Sequence, residues 1–166
     1  EMPNLTDLTQ YEDRAHSENA SISVGGTQVC DGVAGDGAGE LENLYLFGTP
    51  TDPIVLDGPV VVRGDVIIHG VVTGQGSIYT GGNVYVPDSI EYLNDTTSSR
   101  PASNDDADVQ QWLADNQGAD FLGLFARENV IGGDYSHWIW QRYVGYWLGS
   151  DMNQSSEDSG EDQIPN

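Results

Sequence analysis

Lysine is absent from this chain of 166 residues; its five basic residues are all arginines, set against 27 acidic ones. A formal charge of −22 repels phosphate, which excludes nucleic acid and anionic membrane surfaces as partners. Cysteine occurs once, at Cys30, so no internal disulfide forms and the thiol reads as a small buried apolar group. The three histidines, His16, His69 and His137, lack the HxxxH or HExxH spacing of a metal site. No GxSxG elbow, phosphate loop or CxxC pair occurs. These gaps leave no catalytic residue, cofactor or metal ligand to nominate, and the chain reads as a non-enzyme. No apolar run approaches the ~20 residues of a bilayer-spanning helix, so direct membrane insertion is not expected. A signal peptide is missing too; a secreted chain would have lost its leader ahead of Glu1 or been cut from a larger precursor.

Glycine, by contrast, is plentiful and periodic. From Pro53 to Asn94 the chain runs through seven hexads: PIVLDG, PVVVRG, DVIIHG, VVTGQG, SIYTGG, NVYVPD and SIEYLN. An aliphatic residue takes each second place (Ile54, Val60, Val66, Val72, Ile78, Val84, Ile90). Gly58, Gly64, Gly70, Gly76 and Gly82 close five hexads, and Asp88 and Asn94, which tolerate left-handed backbone, close the others. Leu56, Val62 and Ile68 fill fourth places, giving the period-two alternation of strands with one buried face. The expected fold is mainly β, a β-solenoid or hexapeptide-period β-helix, with two short helices capping it or packing on it. Three hexads make one turn of about eighteen residues, which predicts Ile54 stacked on Val72 on Ile90. A meander of antiparallel strands is the competing reading, but it rarely keeps one period so strictly.

Fainter hexads at Ser21–Gly26, Thr27–Gly32, Asn43–Gly48 and Phe121–Gly132 extend the repeat. The expected organisation is a polar segment over 1–20 and a solenoid over 21–134, interrupted at 33–42 and 95–120. An aromatic helix over 135–149 and an acidic disordered tail over 150–166 follow. Within the second interruption, Asp105–Gln117 predicts a short helix capped by Ser103 or Asn104. In the aromatic helix, Trp140, Tyr143, Val144, Trp147 and Leu148 recur at helical spacing. That stripe is expected to pack over the outward residues Val55, Val61 and Ile67, or else to dock a partner or a sugar.

So acidic a surface strains a compact fold in dilute buffer, and concentrated salt relieves it by shortening the Debye length to about 3 Å at 1 M. The composition resembles that of proteins from salt-loving organisms, haloarchaea in particular. Calcium is the alternative, but no EF-hand loop or Gly-Gly-x-Gly-x-Asp repeat is present. Asp31, Asp36 and Glu40, in a Gly-rich loop, read as a solvated acidic loop rather than a cation site. Four Asn-x-Ser/Thr sequons, at Asn4, Asn19, Asn94 and Asn153, are glycosylation candidates and point to an extracellular or cell-surface glycoprotein.

The run VVVRGDVIIHGVVTGQGSIYTGGNVYVPDSIEY, followed later by FLGLFARENVIGG, resembles the β-helical segment of prokaryotic pilus-assembly (minor-pilin-like) surface proteins. Its coil is similar to that of the polymer-forming bactofilins. The resemblance spans residues 53–92 and 121–133 and implies a filament or surface-assembly role; the hydrophobic N-terminal helix of pilin-like proteins has no counterpart here. The expected function is therefore a noncatalytic, self-associating extracellular module, partnered by copies of itself or other surface proteins. Interface candidates are Val61, Ile67, Tyr79, Tyr85, Trp138, Trp140, Tyr143, Tyr146 and Trp147. One alternative is a glycan-binding or adhesive domain that stacks sugars on Trp138, Trp140 and Tyr146. Another is a hexapeptide-type transferase with His69, outward on its hexad, as general base, or a polysaccharide-acting enzyme.

Overall fold

Apolar residues at every second position send one face of each extended segment inward, and the chain uses that face repeatedly. The computed structural model describes residues 4–96, 99, 101 and 105–133. Within them lie helices α1 (Thr9–Glu18) and α2 (Asp106–Asp115) and ten strands. The strands are β1 (Ser21–Val24), β2 (Thr27–Cys30), β3 (Val33–Ala34), β4 (Leu44–Gly48), β5 (Ile54–Val62), β6 (Val66–Thr80), β7 (Val84–Val86), β8 (Ile90–Tyr92), β9 (Phe121–Ala126) and β10 (Val130–Gly132). The protein is thus mainly β, and the strands share a single open sheet of mixed direction. The antiparallel pairings are β1 with β2 and β1 with β5; the others are parallel.

The long strand β6 is the centre of the sheet. It pairs below with β4 and β5 and above with β7, β8 and β9. Gly70 and Gly74, both at φ +88°, redirect it, and their left-handed backbone suits glycine alone. The expected stacking interval appears where Ile54 faces Val72 and Val66 faces Val84, eighteen positions apart. It does not carry through to Ile90, which faces Gly70, while Val72 faces Tyr92. The buried Pro87 and the turn at Asp88 put two more residues between β7 and β8 than lie opposite them in β6. Nor do Asp88 and Asn94 turn through left-handed backbone, since Asn19 is the one described non-glycine residue with positive φ.

Ile54, Leu56, Val60, Val62, Val66, Ile68, Val72, Ile78 and Val84 form the inward stack, each no more than 2 % exposed. At one edge of this core, polar side chains climb the sheet. Asp65 N–H donates to Asn43 Oδ1 (2.8 Å), Asn83 N–H to Asp65 Oδ1 (2.6 Å), and Asn129 Nδ2 to Asn83 Oδ1 (3.1 Å). A Cβ at Gly64 or Gly82 would run into Asn43 Oδ1 or Asp65 Oδ1, so glycine there makes room for the ladder.

The segment expected to be merely polar, 1–20, contains α1. Leu8, Tyr11 and Ala15 share one face of it and pack on the core, Asp7 Oδ1 accepts Thr9 N–H just ahead of it, and Asn19 ends it in left-handed backbone. Arg63 fastens α1 to the sheet, its guanidinium donating to both oxygens of Glu12 (2.8 and 3.2 Å) and to the Gly35 carbonyl (3.1 Å). The interruption at 33–42 begins with β3, whose Val33 and Ala34 are buried. The cap of α2 is Asp105, which accepts Ala107 N–H, rather than Ser103 or Asn104. The aromatic helix and acidic tail expected beyond residue 134 lie outside the described residues.

Candidate functional site

Outward places on a strand are not the same as exposed ones, and several interface candidates show the difference. Val61 is 0 % exposed because α1 packs across β5, and Tyr11 stacks on Tyr79, the register neighbour of Val61. Ile67 is 1 % exposed, with Tyr45 and Tyr85 beside it on the adjoining strands. Neither is free to meet a partner, which corrects the expectation for both. Tyr79 is half-buried between two rings, at 4.5 Å from Tyr11 and 5.0 Å from Phe125. Tyr85 is half-buried as well, and burial, with Asp65 and Glu128 adding to it, raises its phenol above the ordinary range. Trp138, Trp140, Tyr143, Tyr146 and Trp147 lie outside the described residues, as does the sequon at Asn153.

Surface apolar groups are found instead along the upper edge, on the last main hexad and on the fainter ones that follow the 95–120 interruption. Strands β8, β9 and β10 each have a strand partner on one side only among the described residues. Tyr92, Leu93, Phe121, Val130 and Ile131 on or beside them are between 37 % and 55 % exposed. The lower side is covered only in part: among the described residues β2, β3 and β4 also have one strand partner each, and Phe47 on β4 is 47 % exposed. There β5 finds β1 and β3, and α1 lies against it. Strand ends with unpaired N–H and C=O groups are templates for further pairing, and apolar side chains make such pairing favourable.

His69 is committed to its neighbours. Its ring stacks on Phe47 with centroids 4.6 Å apart, and Nε2 shares a 3.1 Å hydrogen bond with Tyr45 Oη. Half-burial holds its pKa below the ordinary 6.5, outweighing the opposite pull of Asp88. The unfolded chain therefore takes up this proton first as pH falls. The stabilisation is complete above about pH 6.5 and is lost progressively as pH drops from there through the folded-state pKa. Urea titrations between about pH 7 and about pH 5 should show the wild-type midpoint falling further than that of His69→Gln, whose side chain does not titrate.

Asp31, Asp36 and Glu40 come together with carboxylate oxygens all within 4.8 Å, and all three residues are exposed. Chain donors already engage two of them: Glu40 Oε2 accepts the N–H groups of Gly35 and Gly37, and Asp36 Oδ2 lies 3.2 Å from His16 Nε2. Cys30 beside them is 3 % exposed, and burial pushes its thiol up to about 11, so it is inert near neutral pH.

A second polar constellation was not foreseen. Asp120 Oδ1 accepts from Thr73 Oγ1 (3.1 Å), Gly74 N–H (2.8 Å) and Asn94 Nδ2 (3.4 Å), while Oδ2 accepts Asn94 N–H (2.6 Å). Asp120 N–H donates in turn to the Asn94 carbonyl (2.8 Å). One carboxylate thereby fastens both ends of the 95–120 excursion to β6. The other two described sequon asparagines, Asn4 and Asn19, are exposed. No described helix is long and apolar enough to cross a membrane. No known protein family, curated protein or solved structure matches the chain.

Proposed function

We propose that this protein is a noncatalytic structural module of the cell surface in a salt-loving prokaryote, wound as a β-solenoid and self-associating through its upper edge. Parallel pairing at an interval of eighteen residues, on both sides of β6, supports the wound form. The polar ladder through Asn43, Asp65, Asn83 and Asn129 repeats as corners of successive turns would. The observation that carries the assembly reading is the difference in cover between the two ends among the described residues: α1 and the β1–β2 hairpin lie against β5 at the lower end and leave β4 open, whereas β8, β9 and β10 are all open along an apolar upper edge. Because most of the lower end has its own cover, two copies join upper edge to upper edge more readily than they stack into a long filament. The charge of −22 on each copy opposes that contact until salt screens it. A place in a pilus-type surface assembly is consistent with such a module.

Electron microscopy and sedimentation in molar salt, repeated after dilution, test the reading. Paired or longer particles in salt that separate on dilution are the expected result. Exposed-edge variants Ile131→Asp and Leu93→Asp, which leave the buried stack intact, should remain single in salt. Dispersed monomers of the wild type under both conditions would overturn self-association. A glycan-binding surface, with the exposed Phe47 ring on His69 as a stacking platform, would then be the better account.

A further inference from the structure

The three described sequons offer chemically identical asparagines in different structural settings, and the settings separate them. At Asn4 the whole tripeptide Asn4–Leu5–Thr6 lies outside helix and strand. Asn4 and Thr6 are exposed, and Asn4 Oδ1 accepts the Thr6 N–H at 3.2 Å. That turn brings the third residue of the sequon back toward the side chain of the first and leaves Nδ2 without a partner among the described residues. At Asn19 the side chain is exposed, but the tripeptide is locked. Ala20 is 2 % exposed with its N–H bonded to the Ala15 carbonyl, and Ser21 is already paired with Asp57 in the sheet. A transferase that must seat three successive residues has no access there. At Asn94 the reacting atom itself is in use, since Nδ2 donates to Thr73 Oγ1 and Asp120 Oδ1.

We infer that Asn4 is the N-glycan acceptor among the described sequons, while Asn94 is a structural clamp and Asn19 a helix terminus. In the transfer, Asn4 Nδ2 attacks C1 of a lipid-linked glycosyl phosphate. The new C–N bond forms as the C–O bond to phosphate breaks, the phosphate leaves with the electron pair, and Nδ2 gives its proton to a base of the transferase. The biological relevance of the site rests on the surface location proposed above, but its chemistry can be tested without it.

The experiment incubates the folded full chain in molar salt with a purified transferase specific for Asn-x-Ser/Thr and a lipid-linked oligosaccharide donor. Intact mass and peptide mapping then locate the product, with an unfolded sequon peptide as positive control. The expected result is a glycan on Asn4, lost in Asn4→Gln, with Asn19 and Asn94 unmodified. Asn94→Gln should keep the added mass at Asn4 yet lower the denaturation midpoint, as the loss of a clamp requires. A glycan on folded Asn19 or Asn94, or none on Asn4 while the control peptide is modified, would overturn the inference. Location fails separately: a chain glycosylated in this assay but found inside its native cell would refute the surface reading alone.

Discussion

Val66→Asp leaves the chain without cooperative tertiary structure, even in molar salt. Val66 is 0 % exposed and stands in the middle of the inward stack, facing Leu44 below and Val84 above. A carboxylate there loses its hydration and gains no donor, because every apolar neighbour in the stack is itself sealed from water. The cost is about 4 kcal/mol or more, a large share of the roughly 5–15 kcal/mol that holds a domain together. Screening does not help, since salt does not enter the core. Urea denaturation followed by circular dichroism checks this, with Val66→Ile as the apolar control, which adds one methylene to the stack at about 1–3 kcal/mol and keeps the fold. A folded Val66→Asp with a near-native midpoint would mean that the stack is hydrated or differently registered.

Gly74→Val is the second large effect, and its cause is backbone rather than solvation. The residue sits at φ +88°, where a β-branched side chain is strained, and a Cβ would press into the carbonyl oxygen of Leu56 on the strand below. Gly74 also donates its N–H to Asp120, so any shift that relieves the clash loosens the clamp on the 95–120 excursion. A loss of about 3 kcal/mol or more is expected from strain and overpacking together. Two comparisons separate the terms. Gly26→Ala, at φ +76° with open space around it, should lose only the conformational part of about 1–2 kcal/mol. Gly118→Ala, with open space and ordinary φ, should be neutral or gain up to about 1 kcal/mol. Chemical denaturation of the three variants in one buffer gives the order directly.

The core was legible because its signal is local. Ile54, Val60, Val66, Val72, Ile78 and Val84 announce themselves by period, and all are buried. What surrounds the core was not, for three physical reasons. Val61 and Ile67 face outward as alternation says, yet a helix and two tyrosines from other parts of the chain cover them, and no pattern within the repeat records that cover. Helix α1 was missed because its apolar face is only Leu8, Tyr11 and Ala15, thin against an otherwise polar tract. The clamp at Asp120 and the ladder through Asn43, Asp65, Asn83 and Asn129 join positions at unequal intervals, which periodicity cannot detect. Exposure along the upper edge was hidden for a related reason: Val130 has the same apolar character as Val84, its neighbour in the ladder, but no strand stacks above it among the described residues.

The neck at Asn94 and Asp120 has a consequence for what this chain can carry. Because one carboxylate and one backbone bond fix both feet of the excursion against β6, the strands on either side keep their alignment whatever the intervening residues do. Loop closure grows only with the logarithm of length, about 0.6 kcal/mol for each doubling. The stretch beyond the neck is therefore a mounting point: epitopes, tags or whole small domains can be grafted there, and the stack beneath would register little beyond that small entropy.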